Sequence, residues 1–134
     1  MAQIILISAM RCNFNKEIRM EKMNVKPATG KLGVLCVGLG AVTSTFMTGV
    51  LMARKGLAKP VGSMTQYDKM RVGRGENKKY LHYGEIVPLA NLNDIVFGAW
   101  DVYPANAYES AVNAEVLKEK DINPVKDELE KIVP

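Results

Sequence analysis

The sequence predicts an α/β fold, part of a doubly wound parallel sheet with flanking helices, and three observations lead to this class. A short apolar run from Leu32 to Val37 is bounded by glycines, which is typical of a strand buried on both faces. Beyond Gly40 the apolar residues recur every three or four positions, as in an amphipathic helix. A second buried-strand pattern at 94–101 precedes an alanine-rich helical stretch. Strands that alternate with helices in this way form parallel sheets.

The composition is that of one ordinary domain. The chain has 134 residues and a formal net charge of +4 at pH 7. A domain of this size buries roughly two-thirds of the surface of its unfolded chain, so a single core is expected. The basic residues between 69 and 79 are diluted by acidic ones, which favours a solvated loop over a nucleic-acid site.

The N-terminal part of the chain differs from the rest. Residues 1–25 are predicted to be an irregular extension of a domain that covers residues 26–134. The extension shows no clear period, and ordered patterning begins just after Met20 and Met23. We expect the natural start at one of these two methionines, which the intact mass of the protein from its own host would test.

Several residue types exclude other classes of protein. Ile4 to Ile7 is too short an apolar run to span a bilayer, so no membrane association is expected. Cys12, Cys36 and His82 lie far apart and do not form a metal-ligand pattern. The two cysteines also lack disulfide spacing, which indicates a reducing compartment and a cytoplasmic location. Cys36 is expected to pack as a small hydrophobe.

The first helix is predicted to begin after Gly40 and to end before Gly56. Arg54 and Lys55 suit the negative end of a helix, and glycine can take the left-handed conformation that closes it. The apolar face of this helix is expected to consist of Val42, Phe46, Gly49 or Val50, and Ala53.

The segments after this helix are predicted as a second strand, a loop and an edge strand. Pro60 to Gln66 is short and bounded by proline and polar residues, so it is expected to complete a β-α-β unit. Residues 67–79 are charged and have no period, which predicts an exposed loop. Residues 85–87 are interpreted as an edge strand that Pro88 would end.

The buried strand at 94–101 ends on Asp101 and leads into the last predicted helices. Pro104 suits the first turn of the next helix, and residues 123–134 predict a short charged helix. The inner face of the helix after Pro104 is expected to contain Ala107, Ala111, Val112, Ala114 and Leu117. Three or four strands make about half of a doubly wound sheet, so the chain is interpreted as the N-terminal piece of a longer protein.

The turn between the first strand and helix carries Gly38 and Gly40. In a Rossmann-like, dinucleotide-binding fold the first glycine allows the tight turn and the second lets the backbone approach the pyrophosphate. The third glycine of the usual pattern is Thr43 here, but that position serves packing rather than cofactor contact. Cofactor binding and a plain strand-to-helix turn both stay open on this motif.

The acidic residue that usually binds the ribose about 20 residues further on is missing. No Asp or Glu occurs between Ala41 and Tyr67, and Asp68 lies in the basic loop. Either the ribose is held elsewhere, or it carries a phosphate, or no dinucleotide binds. Asp101 fits the first option because it ends a strand at the same carboxyl edge as Gly38, and a helix-capping or turn role is the alternative.

Three further motifs are G-S-M-T-Q at 62–66, N-D-I-V-F-G-A-W-D at 93–101, and Ala105 with Tyr108 and Glu109 beyond them. Together they resemble the N-terminal part of inositol-3-phosphate synthase, also called myo-inositol-1-phosphate synthase, over about residues 33–121. The glycine turn departs from many relatives, which have a longer G-x-G-G-N-N-G loop. Contacts by asparagine side chains therefore do not carry over to this turn, although backbone contacts do.

The resemblance implies an NAD-dependent isomerase that converts glucose 6-phosphate to 1D-myo-inositol 3-phosphate, for inositol and phospholipid biosynthesis. Its steps would be oxidation, enolisation, aldol closure and reduction by the NADH just formed. It implies that backbone groups of Gly38, Leu39, Gly40, Ala41 and Val42 hold the pyrophosphate of NAD, with Asp101 near the adenosine ribose. Catalytic lysines, phosphate-binding residues and a tetramer-forming region would lie downstream, so no catalytic residue is expected here and the chain alone would be inactive.

Two other interpretations stay open, a free-standing nucleotide-binding module without catalysis and a fragment that binds nothing. His82 is expected to be solvated or to cap a helix. Trp100 is expected in the core, and a place in the adenine pocket is the alternative. The basic residues Lys69, Arg71 and Arg74 are expected to serve solubility.

Overall fold

The computed structural model describes residue 26 and residues 29–134. The predictions for the extension 1–25, including Cys12, the run from Ile4 to Ile7 and the start at Met20 or Met23, lie outside the described residues. The strands are β1 (Leu32–Val37), β2 (Lys69–Val72), β3 (Lys79–His82) and β4 (Ile95–Trp100), and the α-helices are α1 (Ala41–Arg54), α2 (Met64–Tyr67), α3 (Tyr83–Ile86), α4 (Ala107–Asn113), α5 (Glu119–Ile122) and α6 (Lys126–Leu129).

Strands β1 and β4 form a parallel two-stranded sheet. Their register runs from Leu32 opposite Ile95 to Val37 opposite Trp100. Both strands lie where the sequence predicts them, and the partial α/β fold with a parallel sheet and flanking helices is confirmed. Parallel pairing brings the carboxyl ends of both strands to one edge of the sheet, which is where α1 begins.

The segment predicted as the second strand is not a strand. Residues 61–62 form a turn, and α2 follows it. The Pro60 carbonyl accepts the Ser63 amide at 2.9 Å, and the Ser63 carbonyl accepts the Gln66 and Tyr67 amides at 3.1 and 3.0 Å. These local bonds use the groups that a strand would offer to a neighbour, so β4 rather than this segment is the partner of β1.

The region predicted as a loop and an edge strand contains a hairpin and a short helix. Strands β2 and β3 pair antiparallel, from Lys69 opposite His82 to Val72 opposite Lys79. Seven of their eight residues are exposed, and the polar–apolar alternation of Lys69–Val72, which is typical of a strand, is only four residues long. The edge strand predicted at 85–87 is also wrong, because α3 occupies its start and the Glu85 carboxylate accepts the His82 amide at 2.6 Å.

The hydrophobic core lies on one face of the β1–β4 sheet, between α1 and the C-terminal helices. It consists of Leu39, Met47, Leu51, Ala107, Ala111, Ile122, Val125 and Leu129. The predicted inner face of α1 is wrong in part, since Val42 is 84% exposed and Phe46 44%. Two rows of residues fit the helical period, and packing against α4 selects the row with Ser44, Met47 and Leu51.

The other face of the sheet is open in the described part of the chain. Half-buried and exposed residues alternate along β1, β4 exposes Val96 and Trp100, and Val37 is 75% and Trp100 62% exposed. The prediction of strands buried on both faces is therefore wrong for these residues, and so is the prediction of Trp100 as a core residue. Cys36 points to the covered face, and burial raises the pKa of its thiol, as expected for a residue that packs as a small hydrophobe.

The predicted end of α1 is confirmed, whereas the predicted start of α4 is not. Gly56 has φ +68°, and the amides of Gly56 and Leu57 donate to Ala53 and Met52 at 3.0 Å, which closes α1 as predicted. The start of α4 differs from the prediction. Pro104 precedes the helix, and Asn106 and Glu109 form a reciprocal capping box at 2.9 and 3.1 Å.

The C-terminal segment packs on α1 and contains α6, close to the predicted charged helix. The sequence did not indicate that α1 is the packing partner of this segment. An ion pair between Lys55 and Glu128, at 2.7 Å, joins the two. On α4, Ala107 and Ala111 are buried as predicted, whereas Val112 is 43% exposed. None of the helices in the described part of the chain combines the length and apolar character needed to cross a membrane.

Candidate functional site

The turn between β1 and α1 consists of Gly38, Leu39 and Gly40. Gly38 has φ +92°, a conformation that side chains rarely adopt, and its amide donates to the Trp100 carbonyl at 2.8 Å. Gly40 instead has an ordinary φ of −73°, and a Cβ added there would meet no described atom within 4 Å. The fold therefore requires a glycine at 38 and does not require one at 40. A glycine that the fold does not require is consistent with close approach by a ligand.

Leu39 anchors this turn from the inside. Its side chain is 3% exposed and belongs to the core. Its amide donates to the Asp101 carboxylate at 2.6 Å, a contact between residues 62 positions apart in the chain. The turn is therefore held by apolar packing on one side and by a charged acceptor on the other.

Asp101 directly follows β4 and so lies at the carboxyl edge of the sheet, beside the turn. Its second oxygen accepts the Tyr103 amide at 3.0 Å. The backbone hydrogen bonds from Tyr103 and from Leu39 lower the pKa of Asp101. The carboxylate is thus ionised at neutral pH, and its bond to Tyr103 is the turn interaction that was the alternative to a ribose contact.

The N-terminus of α1 presents amide donors to a ligand. The first four amides of a helix have no intrahelical acceptor, and here they belong to Gly40, Ala41, Val42 and Thr43. No side chain among the described residues caps this end, and its first turn contains no acidic residue. The free donors and the positive end of the helix dipole together suit an anionic group such as a phosphate.

Ser44 is a site residue that the sequence interpretation missed. Its side chain is 1% exposed, and its hydroxyl donates to the Gly40 carbonyl at 3.0 Å. This bond ties the second glycine of the turn to the first turn of α1. A polar residue four positions after a helix-starting glycine was the available signal, because serine on a buried helix face needs a backbone partner.

The other predicted residues lie elsewhere. His82, Lys69 and Arg71 are exposed and belong to the separate hairpin sheet, whereas Gly38–Val42 and Asp101 come together. The G-S-M-T-Q motif contributes to a cavity of about 660 Å³ between α1 and residues 58–66, away from the turn. Within residue 26 and residues 29–134, no group of three His, Cys, Asp or Glu side chains could hold a metal ion.

A glycine-bearing turn between a parallel strand and a helix, at the carboxyl edge of the sheet, is a feature of dinucleotide-binding α/β domains. The family model for myo-inositol-1-phosphate synthase matches residues 32–134, and the chain belongs to this family. The matched model is that of an NAD-binding domain, so NAD is the cofactor that the family assigns to this region. The resemblance inferred from the sequence motifs is confirmed.

Individual relatives agree with this assignment. Over 114 residues the chain is 60% identical to inositol-3-phosphate synthase 1 of Bacteroides thetaiotaomicron, a match that covers 84% of this chain and 26% of the relative. The rice enzyme, inositol-3-phosphate synthase 1 of Oryza sativa subsp. japonica, is 34% identical over 116 residues, with 78% and 23% covered. The chain spans about a quarter of the length of these curated relatives.

Part of a solved structure has a similar fold. The crystal structure of inositol-3-phosphate synthase from Caenorhabditis elegans superimposes with a TM-score of 0.66 at 28% sequence identity. The match covers 81% of this chain and 24% of the nematode chain. The described fold is therefore similar to one part of that enzyme.

Proposed function

We propose that this chain is the NAD-binding segment of an enzyme that converts glucose 6-phosphate to 1D-myo-inositol 3-phosphate, for inositol and phospholipid biosynthesis. The observation that carries the proposal is the bond from the Leu39 amide to Asp101, which joins the glycine turn to the end of β4. It places an ionised carboxylate beside helix amides that have no acceptor within the helix, and these are the two kinds of group that a dinucleotide needs. Membership of the family supplies the choice of reaction.

In this proposal the pyrophosphate lies at the N-terminus of α1. The amides of Gly40, Ala41 and Val42 donate to its oxygens, and the missing side chain at Gly40 lets the backbone come close. Leu39 takes part through its position in the turn, since its amide is already bonded to Asp101. The Asp101 carboxylate keeps further lone pairs, which can accept hydrogen bonds from hydroxyl groups of the adenosine ribose.

When bound, NAD supplies a hydride acceptor that oxidises the sugar and afterwards returns the hydride to the cyclic ketone. The described residues at the turn offer backbone donors and one carboxylate, with no lysine or histidine among them. Their contribution is to bind and orient the cofactor. We propose that proton transfer and binding of the substrate phosphate are performed by residues in the remaining three quarters of the relatives' sequences, which this chain does not match. The chain alone is then expected to be inactive.

The cellular setting follows from the same proposal. Cys36 is half-buried and forms no disulfide with another described residue, which fits a reducing compartment and a cytoplasmic enzyme. A homotetramer is proposed for the full-length protein by analogy with the family. Its contacts would be formed by segments other than the turn.

The cofactor assignment is tested by Gly40→Val. A valine at position 40 fits the fold, because its φ is ordinary and a Cβ meets no described atom within 4 Å. The valine methyl groups would occupy the space through which the pyrophosphate approaches, so NAD affinity in calorimetric titration should fall at least about tenfold. Gly49→Val is the matched control, since position 49 lies within α1, also has open space, and is distant from the turn. Equal NAD affinity of the two variants would contradict the assignment.

The reaction itself is tested with the longest reading frame that contains this chain. Glucose 6-phosphate should be converted to inositol phosphate without net formation of NADH. If that protein binds NAD and leaves glucose 6-phosphate unchanged, a nucleotide-binding module without catalysis is the better description.

A further inference from the structure

We infer that Asp101 is a positioning residue for the pyrophosphate-binding turn, a role separate from any contact with the ribose. The inference rests on the cofactor site proposed above. Its evidence is the hydrogen bond of 2.6 Å from the Leu39 amide to the Asp101 carboxylate, a contact within the protein itself. Charge-assisted bonds of this length are among the stronger ones in proteins.

The bond fixes the orientation of a whole peptide group. The peptide between Gly38 and Leu39 is planar, so holding the Leu39 amide toward Asp101 holds the Gly38 carbonyl away from it. Glycine can adopt both orientations of such a peptide at little cost, and Gly38 already has φ +92°. A reversed peptide would point the partial negative charge of the Gly38 carbonyl at the carboxylate. Asp101 therefore favours one of the two orientations.

The same bond decides which amides are left for a phosphate. The Gly38 amide donates to the Trp100 carbonyl at 2.8 Å, and the Leu39 amide donates to Asp101. The amides of Gly40 and of the first turn of α1 follow directly and have no such partner in the helix. Their direction depends on the turn that Asp101 holds. Loss of Asp101 should consequently weaken phosphate binding at donors that it does not touch.

A probe without ribose separates this role from a ribose contact. Inorganic pyrophosphate is titrated into the ¹⁵N-labelled chain, and amide shifts of Ala41 and Val42 report binding. Asp101→Asn keeps the size of the side chain, but it replaces one of the two acceptor oxygens, each of which binds one backbone amide, with an NH₂ donor and removes the charge from the other bond. We expect pyrophosphate to bind this variant roughly tenfold more weakly than the wild type.

The direction of the effect is diagnostic. Removing a negative charge beside an anion site should by itself strengthen pyrophosphate binding, whereas loss of positioning should weaken it. Asp94→Asn is the matched control, because Asp94 is an exposed carboxylate at the opposite end of β4. This variant should bind pyrophosphate as the wild type does. Unchanged or tighter binding by Asp101→Asn would overturn the inference.

A second measurement does not depend on the folding of a variant. In the wild-type chain without ligand the Leu39 amide should exchange with solvent more slowly than the Val42 amide, because the first is bonded to Asp101 and the second, in the first turn of α1, has no acceptor among the described residues. Equal exchange rates would overturn the inference.

The two proposals fail in different ways. If the chain binds NAD and Asp101→Asn binds pyrophosphate as tightly as the wild type, the positioning role is wrong and the cofactor site stands. If the wild type binds pyrophosphate at the turn and does not bind NAD, the proposed function is wrong and the positioning role stands. Binding of neither ligand overturns both.

Discussion

Replacement of Arg54 by methionine tests how the end of α1 is joined to the start of β4. The Nε atom of Arg54 donates to the Leu92 carbonyl at 2.7 Å, and an Nη atom donates to the Ile95 carbonyl. The guanidinium also lies over the Phe97 ring, 5.5 Å from its centroid. Methionine keeps the apolar stem and removes both hydrogen bonds together with the cation–π contact.

The magnitude follows from these contacts. A hydrogen bond to a charged group contributes about 1.5–3 kcal/mol, and the lower value applies here because Arg54 is half-buried. A partly exposed cation–π contact adds about 0.5–1 kcal/mol. We expect Arg54→Met to lower the free energy of unfolding by about 3.5–4 kcal/mol. Arg54→Lys keeps the charge and cannot match the two-pronged geometry, so a loss of about 1–2 kcal/mol is expected.

Urea unfolding measures this loss, with the midpoint shifted and the slope against urea concentration unchanged. Arg74→Met is the matched control, because Arg74 is exposed in the hairpin turn and should change the free energy of unfolding by less than about 0.5 kcal/mol. If the free energies of unfolding of Arg54→Met and Arg74→Met differ by less than about 0.5 kcal/mol, the contacts of Arg54 with the start of β4 do not stabilise the fold, and the reasoning fails.

Three further outcomes are expected. Gly73→Ala should lower the free energy of unfolding by at least about 1–3 kcal/mol, because Gly73 has φ +89° and a Cβ would lie 2.3 Å from the Asn77 carbonyl oxygen; an unchanged urea midpoint would contradict this. Met47→Ala should cost about 2–5 kcal/mol in the same assay, since Met47 is fully buried, and a loss below about 1 kcal/mol would show that the core is not closely packed there. The hydrogen bond from Lys55 lowers the pKa of Glu128 from its ordinary 4.5, so its stabilising contribution is present above pH 4.5 and lost as the pH falls through the lowered value. Glu128→Gln should flatten the decline of the melting temperature below pH 4.5, and an identical acid profile would contradict that assignment.

The sequence predicted correctly those secondary-structure elements that depend only on residues within the element itself. Strand β1 is marked by a continuous apolar run, and the end of α1 is marked by Gly56. Neither signal depends on which other segment packs nearby. The inner face of α1 does depend on it. Val42 and Ser44 both lie on rows with helical spacing, and only the position of α4 decides that the second row is buried.

Interactions between distant segments could not be read from the sequence in the same way. Arg54 and Lys55 were interpreted as cations that suit the end of a helix, which is a local effect. In the structure Arg54 donates a hydrogen bond to the backbone just before β4, and Lys55 forms an ion pair with Glu128 of α6. The hairpin of β2 and β3 depends on pairing between two segments of four residues each, and the short polar–apolar alternation of Lys69–Val72 was too weak a signal to reveal it.

The candidate site lies between these two cases. The rule that parallel strands end at one edge was enough to place Asp101 near the glycine turn. The hydrogen bond from the Leu39 amide to Asp101 could not be predicted, because it depends on the backbone conformation of a turn that lies 62 residues before Asp101 in the chain. Sequence reasoning thus located the site and could not identify which of its amides are already occupied.

The two glycines of the turn show why the motif alone was ambiguous. Gly38 is required by backbone conformation, as it would be in any tight strand-to-helix connection. Gly40 has an ordinary conformation and open space around it, so folding does not account for a glycine there. Thr43, at the position of the absent third glycine, is half-buried within α1, as a packing position would be. Among these three positions, Gly40 is therefore the one whose residue type is best explained by a ligand, and binding should be most sensitive to substitution there.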